Sequence, residues 1–170
     1  MPGLTLDPSR RTWHITFGTY ATRLHNDPRP TVDRRHNRRN TPFPAADPPR
    51  QRPPSHPPLY LTLEQRRHAE RQFPDLCERG GWRLRAAAAP DPGDHIHILL
   101  DAKTNADPKS IRRWLKRWLG ESLSETFDKP SSGWWAEGGS TKPVTDQRYL
   151  INVTKYVLKQ RTNALPHRPG

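Results

Sequence analysis

Hydrophobic and polar residues alternate along residues 11–20, the pattern of a strand with one buried face. Trp13, Ile15 and Phe17 fall on the apolar face, and the residues between them, among them His14, fall on the polar face. This alternation predicts a first strand near the start of the chain, packed on one side against a core.

The alternation stops near residue 26, and prolines and arginines dominate the sequence up to residue 58. A stretch of this composition buries too little apolar surface to offset the entropy lost on ordering it. We therefore expect residues 26–58 to form a long loop-like insertion. The sequence leaves open whether the insertion orders on a phosphate backbone or stays a solvated basic loop.

A helix is predicted after the insertion. Thr62 is its expected N-cap, and Gln65, three residues later, is the matching partner of a capping box. Pro74 is expected to kink this helix. The glycine pair at 80–81 is expected to end it.

Two strands follow the helix and are predicted to form a hairpin. Residues 82–89 begin with alternation, residues 90–94 have the composition of a turn, and the second strand runs over 94–101. His95 and His97 are two residues apart on this second strand and therefore share one face. The opposite face is predicted to point into the core and carries Ile96, Ile98 and Leu100.

A second helix is predicted from Asp107 or Pro108. Its apolar residues recur at helical spacing and predict a core-facing stripe of Ile111, Trp114, Leu115, Trp118 and Leu119. Its other faces are basic and carry Lys109, Arg112, Arg113, Lys116 and Arg117. Residues 131–140 then predict a loop that opens into a strand or hairpin and is anchored by Trp134 and Trp135.

The last helix is predicted from Asp146 or Gln147 to about Arg161. Its apolar side consists of Leu150, Val153, Val157 and Leu158. Tyr156 and Gln160 are four residues apart, so both project from one face of the helix.

The order of the elements predicts the fold class. Strand, helix, strand, strand, helix, strand, helix is typical of an α+β, ferredoxin-like (RRM-like) split β-α-β antiparallel sheet with an added C-terminal helix. The histidine strand would lie at the centre of that sheet, with its polar face towards the last helix. We expect one catalytic domain formed by residues 1–25 and 59–163, interrupted by the 26–58 insertion and followed by a tail at 164–170.

Composition adds a partner class. The chain of 170 residues has a formal net charge of +12 and a pI of about 10.7, which favours a polyanion: nucleic acid first, an anionic membrane surface second. A single cysteine, Cys77, excludes an intramolecular disulfide. No apolar run has the length of a membrane span, and the amino terminus lacks the apolar core of a signal peptide, so we expect a soluble, cytoplasmic protein.

A metal-assisted reaction is the chemistry that these residues allow. If the last helix overlies the histidine strand, His95, His97 and the Gln160 amide oxygen provide three ligands and leave positions open for substrate. A mixed nitrogen and oxygen set suits Mg²⁺ or Mn²⁺ better than structural zinc. The Tyr156 phenol would then be in place to attack a phosphorus atom.

Four sequence segments carry a family resemblance: 13–20, 94–100, 139–141 and 155–160. With its His-Ile-His strand and its downstream Tyr-x-x-x-Gln helix, the chain resembles the HUH single-tyrosine transposases of bacterial insertion sequences (insertion-sequence-200 type) and the REP-associated tyrosine transposases. The resemblance implies that Tyr156 joins the 5′ phosphate of single-stranded DNA and frees a 3′ hydroxyl, in DNA transposition or REP-element processing. It also implies that a divalent metal is held by His95, His97 and Gln160.

The chain departs from this family in two places. Asp94 stands where members often have Asn, and the 26–58 insertion is longer than in compact members. Tyr149 is a rival nucleophile two helical turns before Tyr156, but Val153, four residues after it, offers no ligand atom. We therefore favour Tyr156.

Other residues are candidates for DNA contact or for packing. The basic residues Arg112, Arg113, Lys116 and Arg117 are either phosphate contacts or a solvated helix face. Trp134 and Trp135 are candidates for stacking on unpaired bases. His14, on the polar side of the first strand, could approach the site, but we favour its interpretation as an ordinary surface histidine. The tryptophans of the second helix are interpreted as core residues.

The expected partner is single-stranded or hairpin DNA, with no membrane and no small-molecule substrate. The alternative function is a non-catalytic single-stranded nucleic-acid-binding domain with an RRM-like sheet, whose binding would survive EDTA. A replication or mobilisation initiator is a third possibility, although such proteins usually carry a further large domain. The sequence does not decide between a monomer and a homodimer, between a tyrosine acting in its own or a partner's site, or between a mobile and a domesticated role.

Overall fold

A four-stranded antiparallel sheet and three helices make up the fold in the part of the chain that the computed structural model describes, residues 4–22, 32–33, 38–39 and 54–162. The strands are β1 (Arg10–Gly18), β2 (Val32–Asp33), β3 (Arg38–Arg39), β4 (Arg83–Ala88), β5 (His95–Lys103) and β6 (Ser140–Val144). The helices are α1 (Leu63–Gly80), α2 (Pro108–Thr126) and α3 (Gln147–Lys159). The protein is therefore of the α+β class.

The histidine strand lies in the middle of the sheet. The strand order is β4-β5-β1-β6, and every neighbouring pair is antiparallel. In this register Thr16 of β1 is opposite His97 of β5, and His14 is opposite Leu99. The central position of β5 is confirmed, and the order is compatible with the predicted ferredoxin-like sheet.

The two faces of the sheet are covered by different helices. Helices α1 and α2 pack on the face that carries Phe17, Ile96 and Ile98, all of them buried. Helix α3 packs on the other face, where Leu99 contacts the cluster that contains Val153 and Val157. Because His95 and His97 alternate with the first set, they lie on the α3 face of β5, as predicted.

The first helix begins at the predicted capping box. The backbone N–H of Gln65 donates to the Thr62 hydroxyl at 3.2 Å, and the Thr62 N–H donates to the Gln65 side-chain oxygen at 2.9 Å. Helix α1 continues past Pro74 to Gly80 and ends at Gly81, whose φ of 74° is a left-handed conformation that glycine adopts without strain.

The apolar stripe of α2 differs from the prediction. The buried row is Ile111, Leu115, Leu119 and Leu123, which recur every four residues. Trp114 is 40% exposed, so its assignment to the core was wrong, and Trp118 is only partly buried. At 100° per residue, Trp114 lies about 120° around the helix from the centre of the buried row. It therefore points away from the core into which that row packs.

Most of the predicted insertion lies outside the described residues, as does the tail. Within 26–58 the structure describes Val32–Asp33 and Arg38–Arg39, which pair as a two-stranded antiparallel sheet, and residues 54–58. Cys77 is buried and forms no disulfide. Among the described helices, none has the length and apolar character needed to cross a membrane.

Candidate functional site

The two histidines of β5 bring their Nε2 atoms to one point. These atoms are 3.0 Å apart, and the two rings meet edge to face. His97 is buried and His95 is partly exposed. The pair therefore lies at the rim of a covered region, open to solvent on the His95 side.

The spacing of the two Nε2 atoms fits a single octahedral ion. Adjacent ligands at about 2.1 Å from such an ion are separated by about 3.0 Å, the diagonal of a right-angled coordination corner. Within the described residues no group of three or more His, Cys, Asp or Glu side chains forms a metal cluster.

Asp94 orients His95. The Nδ1–H of His95 donates to the Asp94 carboxylate at 2.5 Å, and the Asp94 side chain is almost fully buried. The Asp94 backbone is held in turn, because its carbonyl accepts from the Thr19 N–H at 2.9 Å. A carboxylate on Nδ1 places the free lone pair of the imidazole on Nε2 and makes that atom a better metal ligand. The Asp94 carboxylate thus makes the Nε2 lone pair of His95 a stronger electron donor to a metal than an Asn amide at position 94 would.

His14 is part of this site, and its interpretation as an ordinary surface histidine was wrong. Its Nε2 lies 3.0 Å from Nδ1 of His97, and the Thr16 hydroxyl lies 3.2 Å from the same Nδ1. Burial and, to a smaller extent, the charge of Lys142 lower the pKa of His14 to about 4. His14 is therefore neutral at pH 7 and can accept the Nδ1–H of His97, which leaves the His97 Nε2 lone pair free for a metal.

We expect His14→Ala to weaken Mn²⁺ binding by about 10- to 100-fold, the usual cost of removing a group that orients a metal-ligating histidine. In His14→Gln the amide oxygen can accept the same hydrogen bond, so most of the affinity should return. Calorimetric titration of the full chain with Mn²⁺ measures both variants. His56→Ala, which removes an imidazole paired with Ser55, is the control. Equal losses in His14→Ala and His14→Gln would contradict an orienting role.

Tyr156 packs against His97, one of the two histidines of β5. Its ring meets the His97 ring edge to face, with the centroids 5.6 Å apart, and 52% of the residue is exposed. The phenol is thus beside the imidazoles and accessible to a large substrate. Tyr149 is in the first turn of α3, about 10 Å further along the helix axis, and within the described structure it makes no ring contact with either histidine.

Both ends of α3 are anchored to other elements. At the start, the Leu6 N–H of the amino-terminal segment donates to the Gln147 side-chain oxygen at 3.1 Å, and Asp146 caps the helix through the N–H groups of Arg148 and Tyr149. Beyond the end, the Thr162 N–H and hydroxyl donate to Glu70, a buried carboxylate on α1. These contacts fix the helix that carries Tyr156 against the sheet.

Gln160 ends α3. It is the C-cap residue, its backbone N–H donates to the Val157 carbonyl, and its side chain is partly buried. It lies one turn beyond Tyr156, as the sequence spacing requires. Among the described residues, its side chain forms no hydrogen bond with another residue.

The candidate DNA-contact residues lie elsewhere. The basic residues of α2 are on the opposite face of the sheet from the histidines. Trp134 is buried, with its N–H on Ser124, and Trp135 is partly buried, with its N–H donating to the Lys116 carbonyl. Trp135 also packs edge to face on Phe17. Both indoles are packed against the α2 face of the sheet, which leaves Trp134 without an accessible face for a base.

Comparison with known proteins adds no family name to this geometry. No protein-family model matches the chain, and no curated protein is similar to it. The resemblance to the single-tyrosine transposases therefore depends on the motifs themselves and on the positions that their residues take in the fold.

Proposed function

We propose that this protein is a metal-dependent endonuclease and strand transferase that acts on single-stranded DNA through Tyr156. The observation that supports it best is the position of the Tyr156 ring beside His97, whose Nε2 meets that of His95. The proposal includes a ferredoxin-like fold for the sheet. The strand order β4-β5-β1-β6 supports this part of the proposal, because a ferredoxin-like sheet has its strands in that order.

His95, His97 and Gln160 are the residues that would hold Mg²⁺ or Mn²⁺. When bound, the ion would polarise the non-bridging oxygens of a phosphodiester and stabilise the charge that develops there. Asp94 and His14 keep the two histidines in the orientation that this requires. The net charge of +12 favours the approach of a polyanionic strand.

Tyr156 performs the covalent step. Its phenolic oxygen attacks the phosphorus atom, the bond from phosphorus to the 3′ oxygen breaks, and the phenol proton is given up while the leaving oxygen gains one. The products are a 5′-phosphotyrosine and a free 3′ hydroxyl. Attack by the same or another 3′ hydroxyl reverses the step and rejoins DNA without ATP, because the phosphotyrosine bond retains the energy of the broken phosphodiester.

A non-catalytic RRM-like binding domain is less well supported. Such a domain stacks bases on an open sheet face. Here α1 and α2 cover one face, and α3 packs on the other.

Adduct formation tests the proposal. The full chain is incubated with Mn²⁺ and a pool of single strands that each carry one hairpin with randomised flanks. A 3′-end label should migrate with the protein on a denaturing gel, whereas a 5′-end label should be released as a shorter free strand. EDTA should abolish both signals. Strand binding that survives EDTA, with no adduct under either label, would overturn the proposal.

A further inference from the structure

The exposed surface of α2 combines cations and aromatic rings. At 100° per residue, Arg113, Arg117 and Trp114 follow one another around the helix, on the side away from the buried leucine row. Lys109 and Lys116 continue the basic side, and Trp118 continues the aromatic side. We call these six residues the α2 surface. It lies on the face of the sheet opposite to His95 and His97.

On the basic side is an open pocket of about 320 Å³. It is lined by Lys109, Arg112, Arg113, Lys116 and Gly138, with no carboxylate among them. The Lys116 ammonium donates to the carbonyl oxygens of Ala136 and Gly138, at 2.6 and 3.0 Å, and so fixes the rim. Burial and the neighbouring charge of Arg112 lower the pKa of Lys116, and the charge of Glu137 opposes them in part. Four like charges around one pocket repel each other, and a phosphate group would relieve that repulsion.

On the aromatic side three indoles form a row. The ring centroids of Trp114 and Trp118 are 5.3 Å apart, and those of Trp118 and Trp82 are 5.8 Å apart, with planes inclined by about 30°. The Arg79 guanidinium lies over Trp118 at 4.4 Å, and that of Arg117 lies 5.6 Å from the Trp114 ring. Trp114, at the end of the row, is 40% exposed. Aromatic rings beside cations are the pattern on which unpaired bases stack.

The pocket is close to the strands of the histidine site. At Gly139, just before β6, a Cβ atom would lie 2.5 Å from the Thr16 carbonyl oxygen and 2.9 Å from Cδ of Arg112. Thr16 in turn contacts His97 through its hydroxyl. β6 is an edge strand, and its first residue, Ser140, is paired with Thr16 of β1.

We propose that the α2 surface binds a single nucleic acid strand, with a phosphate in the basic pocket and a base on Trp114. This is a second contact region, separate from the residues that cut. It goes beyond the proposed reaction, because strand binding here requires neither a metal nor Tyr156.

Binding of a labelled oligothymidine to the full chain in EDTA tests this inference by fluorescence anisotropy. Trp114→Ala should weaken binding by about tenfold or more, and Trp114→Phe should retain most of it. Lys109→Ala and Arg113→Ala should each lower the slope of log affinity against log salt by about 0.7, the value for one lost contact on a single strand. Because the proposed reaction requires a metal, it does not proceed in EDTA, and its failure would leave this binding result unaffected.

Matched variants on the α3 face serve as controls. Tyr149→Ala removes an aromatic residue that is 38% exposed, and Arg148→Ala removes an exposed cation. Both should change affinity by less than about twofold. Wild-type affinity in Trp114→Ala and Arg113→Ala overturns the inference. Conversion of a dimer to a monomer by Trp114→Ala, with strand affinity unchanged, also overturns it and assigns the indole row to a second copy of the chain.

Discussion

Tyr156→Phe is expected to abolish the covalent DNA adduct while leaving the fold and the metal site intact. The substitution removes one oxygen atom and keeps the ring that packs against His97. Without that oxygen the side chain at position 156 has no atom that can bond to the phosphorus, so adduct formation should fall by at least about a thousandfold. The measurement is the rate at which 3′-labelled DNA becomes attached to the full chain in Mn²⁺.

Tyr149→Phe is the matched control for this variant. It removes the same oxygen from the same helix, seven residues earlier and away from the histidine rings. Its adduct rate should stay within about twofold of the wild type. Calorimetric titration should give both variants the wild-type Mn²⁺ affinity. Loss of the adduct in Tyr149→Phe, with retention in Tyr156→Phe, would show that the wrong tyrosine has been chosen.

Local patterns in the sequence predicted the elements well. The alternation in β1 placed Ile15 and Phe17 in the core, where both are buried. The capping box fixed the start of α1, because its two hydrogen bonds join residues only three apart. The His-Ile-His spacing correctly placed His95 and His97 on one face of β5, because alternate residues of a strand share a face. Each of these features is decided within one turn or one strand.

The role of His14 could not be predicted in this way. Alternation assigned it to the polar face of β1, but its contact with His97 joins residues 83 positions apart and depends on the register between β1 and β5. Alternation shows on which face His14 lies, but not which strand is its neighbour or which residue is beside it, because a shift of two residues in the pairing keeps the same faces. A histidine on the polar face of a strand next to a predicted metal strand is the signal that could have identified it.

Trp114 and Trp134 differ in burial from what their proposed roles required, because local spacing alone does not decide burial. Trp114 is three residues after Ile111, a spacing that fits one face of a helix. The residues that α2 buries, however, recur every four positions. Trp134, a candidate for base stacking, is buried because it packs beside α2 and donates to Ser124. Tertiary packing decided both cases, and the signal for it lies in helices and loops far apart in the chain.

Asp101→Asn is expected to lower the free energy of unfolding by about 3 kcal/mol or more. Asp101 is fully buried on β5 and accepts hydrogen bonds from the Thr12 hydroxyl at 2.6 Å and from the Arg85 guanidinium at 2.7 Å. Arg83 donates to the same carboxylate. The Arg85 side chain is only 4% exposed, so an uncharged partner would leave a buried guanidinium without its counter-ion.

The consequences of this substitution should reach α3. Arg85 also donates to the Thr5 carbonyl at 2.9 Å, which attaches the amino-terminal segment to the sheet. The same segment bonds to the start of α3, where the Leu6 N–H donates to the Gln147 side chain at 3.1 Å. Loss of the Asp101 charge therefore weakens one of the supports of the helix that carries Tyr156.

Thermal and urea unfolding of Asp101→Asn and of Asp107→Asn measure the effect. A melting temperature roughly 10 °C lower is expected for the first variant. Little change is expected for the second, because Asn replaces Asp well at the exposed N-cap of α2.

Burial raises the pKa of Asp101, but hydrogen bonds from Arg85, Thr12 and Arg83 lower it by more, so it lies below the ordinary 3.8. The stability that the ionised carboxylate contributes is complete above about pH 5 and is lost as the pH falls through this lowered pKa. The difference in free energy of unfolding between the wild type and Asp101→Asn should accordingly be constant near neutral pH and become smaller below about pH 4. A difference that grows on acidification would contradict the stabilising role of the ionised Asp101 carboxylate.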